Sequence, residues 1–451
     1  ISLLAMVVAV ICVEIASPFF TLTTGKPLEI DYIFFALALI GMALITGFAA
    51  GIFPSFYLAS ANAGAILKGK FLQNPKGSRF RQGFTIFQFF ASMMLIASSI
   101  IIYNQLEFMK NKELGFHGEE VVVLRVKDPD AINPRFEELR SELMRISNVK
   151  SVSAASNIPG RPFNQNPVFA TQHPDMRIAS SEALIDYDFF TVLDIKFTEG
   201  RPFSKENVAD RDAFILNETA AKNLYAGNAV GKDFSWDYDE GIIKGTIVGV
   251  VKDFHFQSLH EPVRPLLFRV MQRYNYVLVK LNTTEFSSTI NAIENTWKKF
   301  DNRFAFDFSF LSEYLNQQYR FEQNMAAVLG AFSFISITIA CFGLLAIASL
   351  TFTQKTKEVS IRKVLGATLL NIMLLLIKDF TRIVVIAVLL ATPVIWWVMN
   401  SWLENFTFRT PINPLIFVGS GMLLVAVAWA TLSYLLWKIS LVNPAETLKN
   451  E

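Results

Sequence analysis

One short segment combines carboxylates and imidazoles that could perform acid–base chemistry or hold a metal ion: Asp253, Phe254, His255, Phe256, His260 and Glu261. If this segment is a strand, Asp253 and His255 point to the same face, and His260 could reach back toward them. The chain has only 4 histidines, so a three-ligand zinc site would need a distant carboxylate. No nucleophile lies in a recognisable elbow. Structural polar contacts therefore explain the segment better than catalysis, and we predict a protein that is not an enzyme, with no catalytic residue, metal or cofactor.

A second segment, residues 227–233 (GNAVGKD), resembles a phosphate-binding loop. Its glycines are one residue too close together, and Asp233 stands where Ser or Thr would hold Mg²⁺. We interpret the segment as a turn, so the chain itself has no recognisable Walker A motif.

A third segment is dense in charge and lies between two long apolar runs. It contains Lys355, Lys357, Glu358, Arg362 and Lys363. A helix over about 355–365 would place Lys355, Glu358 and Arg362 on one face, yet an i,i+4 pair contributes only about 0.2–0.5 kcal/mol. From the residues alone, two interpretations are equally supported. The helix either contacts lipid headgroups and a soluble partner, or is an ordinary basic loop at a membrane exit.

The elements that position these segments are mostly apolar. The chain is 52% hydrophobic and 18% charged, whereas a soluble domain carries about 25% charge. The net charge of +2 gives no sign of nucleic-acid binding. Cys12 and Cys341 both lie in apolar runs, which favours buried filler over a disulfide framework. The composition therefore predicts a membrane protein.

Six segments are long enough to cross about 30 Å of hydrocarbon as helices. They are residues 1–20, 33–58, 84–103, 325–351, 380–402 and 415–437. The loops after the second and fourth segments are rich in Lys and Arg, whereas loops 21–32 and 403–414 contain only Lys26 and Arg409. The positive-inside rule then places the basic loops and the C-terminus in the cytoplasm, and residues 104–323 outside.

The first two spans resemble the last two at a constant offset. Residues 62–69 align with 443–450, and both segments follow an apolar span. The simplest explanation is a duplicated unit of four spans with a large outer domain. Because Ile1 begins within an apolar run, we expect a longer protein. The duplication favours a pseudo-dimer of its two halves.

The outer region has the pattern of an α+β domain. We predict strands over 120–127, 149–155, 245–251 and 276–281, and helices over 133–146, 218–224 and 286–300. Their order is mixed and does not favour a regular parallel sheet.

Several motifs together resemble the permeases of the MacB/FtsX superfamily of ABC transporters. Residues 357–367 (KEVSIRKVLGA) are similar to a cytoplasmic signature of that family. Further similar segments lie in the outer region and at the end of the chain, at residues 187–190, 200–204, 216–222, 253–260 and 443–449. The resemblance covers the chain from about residue 84 to its end and extends to residues 1–83.

The resemblance implies a polytopic α-helical membrane protein with a domain like the MacB periplasmic core domain, in the inner membrane of a bacterial cell. It implies a separate ABC ATPase subunit as partner, whose ATP-driven closure moves the outer domain to export or extract lipoproteins, peptides or drugs. A periplasmic adaptor or an outer-membrane component is an open further partner. The residues that the resemblance assigns to ATPase coupling are Lys357, Glu358, Ile361, Arg362, Lys363, Gly366 and Ala367.

The predicted domain boundaries follow from the spans. Residues 1–58 are the last two spans of a first unit, 59–83 a basic cytoplasmic linker, 84–103 a span and 104–323 the outer domain. The remainder comprises the spans 324–352, 380–402 and 415–437, the coupling region 353–379 and the tail 438–451. The alternative function is an FtsX-like membrane scaffold that regulates a cell-wall enzyme through its outer domain.

Overall fold

The computed structural model describes residues 2–24, 32–59, 75–118, 120–238, 241–282, 285–364 and 369–440. The chain forms two compact units. The helical unit comprises Ile1–Gln105, Phe321–Leu403 and Thr410–Glu451. The sheet unit comprises Leu106–Arg320 and the short segment Glu404–Arg409, which we call the 404–409 loop.

The described α-helices follow the apolar and amphipathic segments of the sequence. In chain order they are α1 (Ser2–Thr24), α2 (Tyr32–Ala59), α3 (Pro75–Lys110), α4 (Pro129–Ile132), α5 (Phe136–Met144), α6 (Phe189–Leu193), α7 (Glu218–Tyr225), α8 (Phe286–Trp297), α9 (Leu311–Gln317), α10 (Arg320–Val364), α11 (Leu369–Leu403) and α12 (Leu415–Ser440).

Long apolar helices dominate the helical unit. Among the described residues, five segments are long and apolar enough to cross a bilayer: Ile33–Ile52, Arg81–Lys110, Arg320–Phe352, Ile377–Leu403 and Leu415–Tyr434. The segment Ser2–Ile15 is apolar but shorter. Five of the six predicted spans therefore have a matching helix, and the first one stays a prediction.

Helix α10 is longer than the sequence suggested. We expected a separate helix over about 355–365, but the helix that begins at Arg320 continues without a break to Val364. Residues 344–364 contain no Gly or Pro, and their Lys, Glu and Arg residues are good helix formers. The charged segment is therefore the end of a 45-residue helix.

Few polar contacts join the described helices of the helical unit. The hydroxyls of Ser92 and Ser336 lie 2.8 Å apart, which links α3 to α10. The indole Nε1 of Trp429 donates to Thr381 Oγ1 at 2.9 Å, which links α12 to α11. Small polar groups of this kind let apolar helices pack closely while their backbone hydrogen bonds stay internal.

The sheet unit contains an eleven-stranded sheet within the described residues. Its strands are β1 (Val121–Arg125), β2 (Val149–Ala155), β3 (Gln165–Ala170), β4 (Ile178–Ile185), β5 (Phe197–Gly200), β6 (Ala213–Asn217), β7 (Asp233–Tyr238), β8 (Gly241–Val251), β9 (Leu266–Val270), β10 (Tyr276–Leu281) and β11 (Phe308–Phe310). The strands predicted over 149–155 and 276–281 are confirmed with the same bounds.

The sheet has two lobes. In the first lobe, β11, β1, β10 and β2 are neighbours and antiparallel. In the second lobe, β4, β3, β7, β8, β6 and β9 form a closed ring, because β9 pairs in parallel with β4. A single residue pair, Ala155 with Ile185, joins β2 to β4 and therefore the two lobes.

Both faces of the first lobe are buried, as its continuous apolar strands require. Val122 and Leu124 face the amphipathic helices α5 and α8 and contact a cluster that includes Ile293 and Trp297. Val121 and Val123 face the opposite way, into a phenylalanine-rich core shared with the ring. Alternate residues of β1 thus belong to different cores.

Asp186 lies at the junction of the two lobes, directly after β4. Its Oδ1 accepts hydrogen bonds from the hydroxyl of Ser153 and from the amides of Ala154 and Asp188. Its Oδ2 lies 3.7 Å from Nη1 of Arg140 on α5. Burial raises the pKa of the Asp186 carboxyl to about 6, against the opposing effects of Ser153 and Arg140.

Candidate functional site

The carboxylate of Asp253 holds the beginning of α7. It accepts hydrogen bonds from Asn217 Nδ2 at 2.8 Å, from the amide of Thr219 at 3.1 Å and from the Thr219 hydroxyl at 2.7 Å. The amide of Asp253 donates to Oε2 of Glu218 at 2.9 Å. The group is engaged by α7, so its geometry agrees with a structural contact better than with catalysis.

Asn217 extends this network to β9. Its Oδ1 caps α7 by accepting from the amide of Ala220 at 3.0 Å, and also accepts from the amide of Leu266 at 2.9 Å. Its Nδ2 donates to the carbonyl of Arg264 at 2.9 Å. One asparagine therefore joins β6, α7 and the entry to β9.

The segment that begins at Asp253 is a loop, because strand β8 ends at Val251, where the strand predicted over 245–251 also ends. The possibility that Asp253 and His255 share one face of a strand therefore does not hold. The physical reason is a tertiary contact, because the amide and carboxylate of Asp253 bond to α7 instead of continuing the ladder.

The two phenylalanines of this loop belong to the core. Phe254 and Phe256 are fully buried, and their rings meet edge to face with centroids 5.7 Å apart. Gly115 packs against Phe254 with a φ of +85°, and a Cβ there would lie 2.9 Å from the Cβ of Phe254. The close approach and the positive φ together require glycine at this position.

His255 and Lys112 hold the aromatic ring of Phe408, which belongs to the 404–409 loop. The His255 ring contacts Phe408 edge to face, with centroids 4.8 Å apart. The Nζ of Lys112 lies 3.9 Å from the centroid of the same ring. The amide of His255 donates to the carbonyl of Leu114 at 2.8 Å, which fixes the backbone beneath the ring.

His260 makes a second contact with the same loop. Its ring lies against Phe406, with centroids 4.2 Å apart and planes inclined by 30°. Its carbonyl accepts from the Thr407 hydroxyl at 2.9 Å and from the Thr407 amide at 3.4 Å. Phe406 is only 4% exposed. We call these contacts of His255 and His260 with the 404–409 loop the aromatic clasp.

The surroundings of His255 in the clasp disfavour its protonated form. Burial lowers the pKa of His255 below its usual range, and the ammonium of Lys112 lowers it further, while Asp253 acts in the opposite direction. A neutral imidazole can present its ring to an aromatic neighbour without desolvating a charge.

The predicted ATPase-coupling residues lie in the last turns of α10 or beyond it. Within the helix are Lys357, Glu358, Ile361, Arg362 and Lys363. Gly366 and Ala367 lie outside the described residues. Their role in coupling stays a prediction.

The interpretation of residues 227–233 as a turn is confirmed. Ala226 ends α7 in the left-handed region, and Gly227 and Gly231 have φ values of +108° and +80°. The amide of Lys232 bonds back to the carbonyl of Ala229 at 3.1 Å.

The sequence did not lead us to the residues of the 404–409 loop that contact His255 and His260. Residues 406–408 (FTF) were included in a short connection between two spans and given no role. Two aromatic residues in an otherwise polar connection were the available signal, because large apolar side chains in a loop usually cover a surface. Their contact with His255 and His260 depends on tertiary structure.

Two family models match the chain. The model of the FtsX-like permease C-terminal region matches residues 330–444, and that of the MacB-like periplasmic core domain matches residues 90–296. The first includes the end of α10, and the second includes β1 to β10 and all but the last residue of α8. No curated protein sequence matches the chain significantly.

Three solved structures are similar in part. The periplasmic region of MacB from Actinobacillus actinomycetemcomitans is 14% identical, with a TM-score of 0.33, over 46% of this chain and 96% of that one. The extracellular domain of the noncanonic ABC-type transporter YknZ from Gram-positive bacteria is 13% identical, with a TM-score of 0.32, over 42% and 98%. A domain of a putative permease from Porphyromonas gingivalis is 12% identical, with a TM-score of 0.31, over 43% and 90%.

Proposed function

The chain belongs to the MacB/FtsX superfamily of ABC transporter permeases, and on this premise we propose that it transmits force between a separate ATPase subunit and its sheet unit. Permeases of this superfamily are transport subunits that work with an ATPase partner. In the proposed cycle, ATP-driven movement of the partner reaches the sheet unit through the helices.

The observation that carries this proposal is the continuity of α10. This helix follows directly on the last residues of the sheet unit and runs for 45 residues to Val364. At 1.5 Å per residue its length is about 67 Å, roughly twice the thickness of a hydrocarbon core. An unbroken helix resists bending, so a displacement at the charged end would be carried to Arg320.

The aromatic clasp supplies a second mechanical connection. The 404–409 loop joins α11 to α12 and is itself part of the sheet unit. A movement of these two helices would therefore pull on His255 and His260 through Phe408 and Phe406.

The direction of coupling follows from the predicted topology. The end of α10 is on the cytoplasmic side of a bacterial inner membrane, where Glu358 and Arg362 contact the ATPase, and the sheet unit lies outside. We also propose that two such halves form a pseudo-dimer. Lipoproteins, peptides or drugs are the classes of cargo that we propose.

The test is co-purification of the ATPase subunit with the permease. We expect the double reversal Glu358→Lys/Arg362→Glu to abolish co-purification, because it inverts the charges presented by the end of α10. The matched control is Glu294→Lys/Lys298→Glu, which reverses an i,i+4 pair at the C-terminal end of α8 with an Nζ–Oε1 distance of 2.6 Å. Unchanged ATPase binding in the α10 variant would refute the docking assignment.

A further inference from the structure

A cavity of about 940 Å³ lies within the sheet unit, beside the end of α3. Met109 and Lys110, which line the cavity, are the last residues of an apolar helix long enough to cross a bilayer. Tyr319, which also lines it, directly precedes the next such helix. Two chain segments that continue into apolar spans therefore line the cavity. Leu114 and Phe116 add apolar surface.

Two lysines from neighbouring strands face this cavity. Lys280 of β10 lies opposite Ser151 of β2, and the next pair is Leu281 with Val149. Lys150 is therefore the extra residue of a β-bulge, and a bulge redirects a side chain out of the regular alternation. Both lysines line the cavity as a result.

Neither lysine has an ion-pair partner within 4.0 Å among the described residues. Asp194 also lines the cavity, and Lys280 contributes to lowering the pKa of its carboxyl. Its carboxylate, however, is already bound by Lys196 at 2.6 Å and by His117 at 3.3 Å. Two ammonium groups that line one cavity repel each other, so an anion bound in that cavity would relieve an unfavourable interaction.

The other lining residues indicate an amphiphile rather than a free ion. Glu113 and Glu120 also line the cavity, which keeps its net positive charge small and disfavours indiscriminate binding of anions. The apolar residues Met109, Leu114 and Phe116 would contact the part of a ligand that adjoins its charged group. A phosphate attached to a glycerol and an acyl chain has this distribution of charge and apolar surface.

We propose that this cavity binds the phosphate group of a membrane lipid headgroup, with Lys150 and Lys280 as the residues that contact the phosphate. The placement of this cavity outside the hydrocarbon layer rests on the proposed function. Lys112 and His255 line the same cavity and hold Phe408, so a bound headgroup would contact the residues of the aromatic clasp.

The first test is lysine footprinting of the full chain in dodecyl maltoside, with acetylation rates of single lysines measured by mass spectrometry. Three probes separate the sources of binding. Lysophosphatidylglycerol has both the phosphate and the chain, monomyristoylglycerol has only the chain, and inorganic phosphate has only the anion. We expect only the first to slow acetylation of Lys150 and Lys280, by about tenfold, which corresponds to about 1.4 kcal/mol.

Two exposed lysines serve as internal controls for this measurement. Lys378 begins a candidate span and reports general attraction to a charged micelle, and Lys252 lies on the sheet unit. Equal slowing at Lys378 would overturn the proposal, because it would show a micelle effect. Equal protection of Lys150 and Lys280 by inorganic phosphate would overturn the lipid assignment in favour of a free anion.

The second test compares two variants with the same change in charge. Lys150→Gln/Lys280→Gln is expected to retain about tenfold less lysophosphatidylglycerol in native mass spectrometry, whereas Lys232→Gln/Lys252→Gln retains it fully. Equal retention by both variants would refute the site. Neither measurement involves the ATPase, so a failure here leaves the result of the Glu358/Arg362 test unchanged, and the reverse also holds.

Discussion

The two ends of the segment from Asp253 to His260 are held in different ways. Asp253 makes hydrogen bonds of defined length and direction to the beginning of α7, and these bonds involve a charge. His255 and His260 instead contact the 404–409 loop mainly through aromatic rings. Hydrogen bonds to a carboxylate are short and directional, whereas aromatic pairs tolerate a range of offsets and angles.

This difference indicates a division of labour within eight residues. The Asp253 network fixes the segment to the ring lobe through α7 and β9. The aromatic clasp holds a loop that continues into α11 and α12, and it can adjust without breaking a directional bond. We therefore expect the network to determine stability and the clasp to determine how movement is transmitted.

The largest effect should follow removal of the Asp253 carboxylate. Asp253→Ala removes the acceptor of both Thr219 donors and one of the two acceptors of Asn217 Nδ2, so we expect a loss of about 3 kcal/mol in the free energy of opening of α7. Hydrogen exchange of the α7 amides, measured by mass spectrometry on the full chain, checks this. Asp237→Ala is the control. Among the described residues, the only ion pair of Asp237 is with the exposed Arg177. We therefore expect this variant to lose less than about 1 kcal/mol of stability. Similar losses in both variants would contradict the comparison.

Truncation of Phe406 should weaken the aromatic clasp and leave the Asp253 network intact. Phe406→Ala removes a buried ring that lies 4.2 Å from His260, and we expect about 2 kcal/mol less protection at the Thr407 amide. The exchange of α7 should not change, because the Asp253 network does not involve the loop. Phe304→Ala, at a position 46% exposed, is the control. If α7 and the loop lost protection together, the two ends would be one cooperative unit and the comparison would be wrong.

The sequence alone predicted the elements that have a strong local signal. Strand bounds at 149–155 and 276–281 and the start of α7 after Asn217 were correct, because apolar runs and an N-cap residue are local features. The unbroken α10 was not predicted, since charge density suggested a separate surface helix. The helix continues because no residue between 344 and 364 interrupts it.

The candidate site was predicted only in part. The motif around Asp253 was identified, and its structural role was preferred, but its conformation was left open because its partners on α7 are distant in sequence. The pairing of His255 with Phe408 joins residues more than 150 positions apart. The bulge that directs Lys150 into the cavity depends on the register of β2 and β10, which no local pattern reveals.

A smaller effect of pH should distinguish the clasp from the network. The pKa of His255 is lowered in the folded chain, first by burial and then by Lys112. Between the usual value of about 6.5 and this lower value, a detached His255 binds a proton that the clasped one does not. Protection of the loop should therefore fall on acidification and rise with pH. Exchange of the imidazole C2 hydrogen reports the pKa directly.

A variant sharpens this measurement. Lys112→Met should raise the pKa of His255 while leaving it below 6.5, since burial is the larger cause. It also removes the cation from Phe408, which should weaken the loop by about 1 kcal/mol. A pKa of His255 at or above 6.5 in the unaltered chain would show that the ring is not held as described.

The smallest effect should come from the side-chain hydrogen bond between Thr407 and the His260 carbonyl. Thr407→Val keeps the shape of the side chain but removes the hydroxyl that donates to the His260 carbonyl at 2.9 Å. Thr407 is exposed, so water can replace the lost donor, and we expect about 0.5 kcal/mol less protection of the loop. This loss should be well below that of Phe406→Ala, because ring contacts, not hydrogen bonds, carry the clasp. A loss equal to that of Phe406→Ala would make the clasp a second hydrogen-bonded anchor, and the contrast between the two ends would disappear.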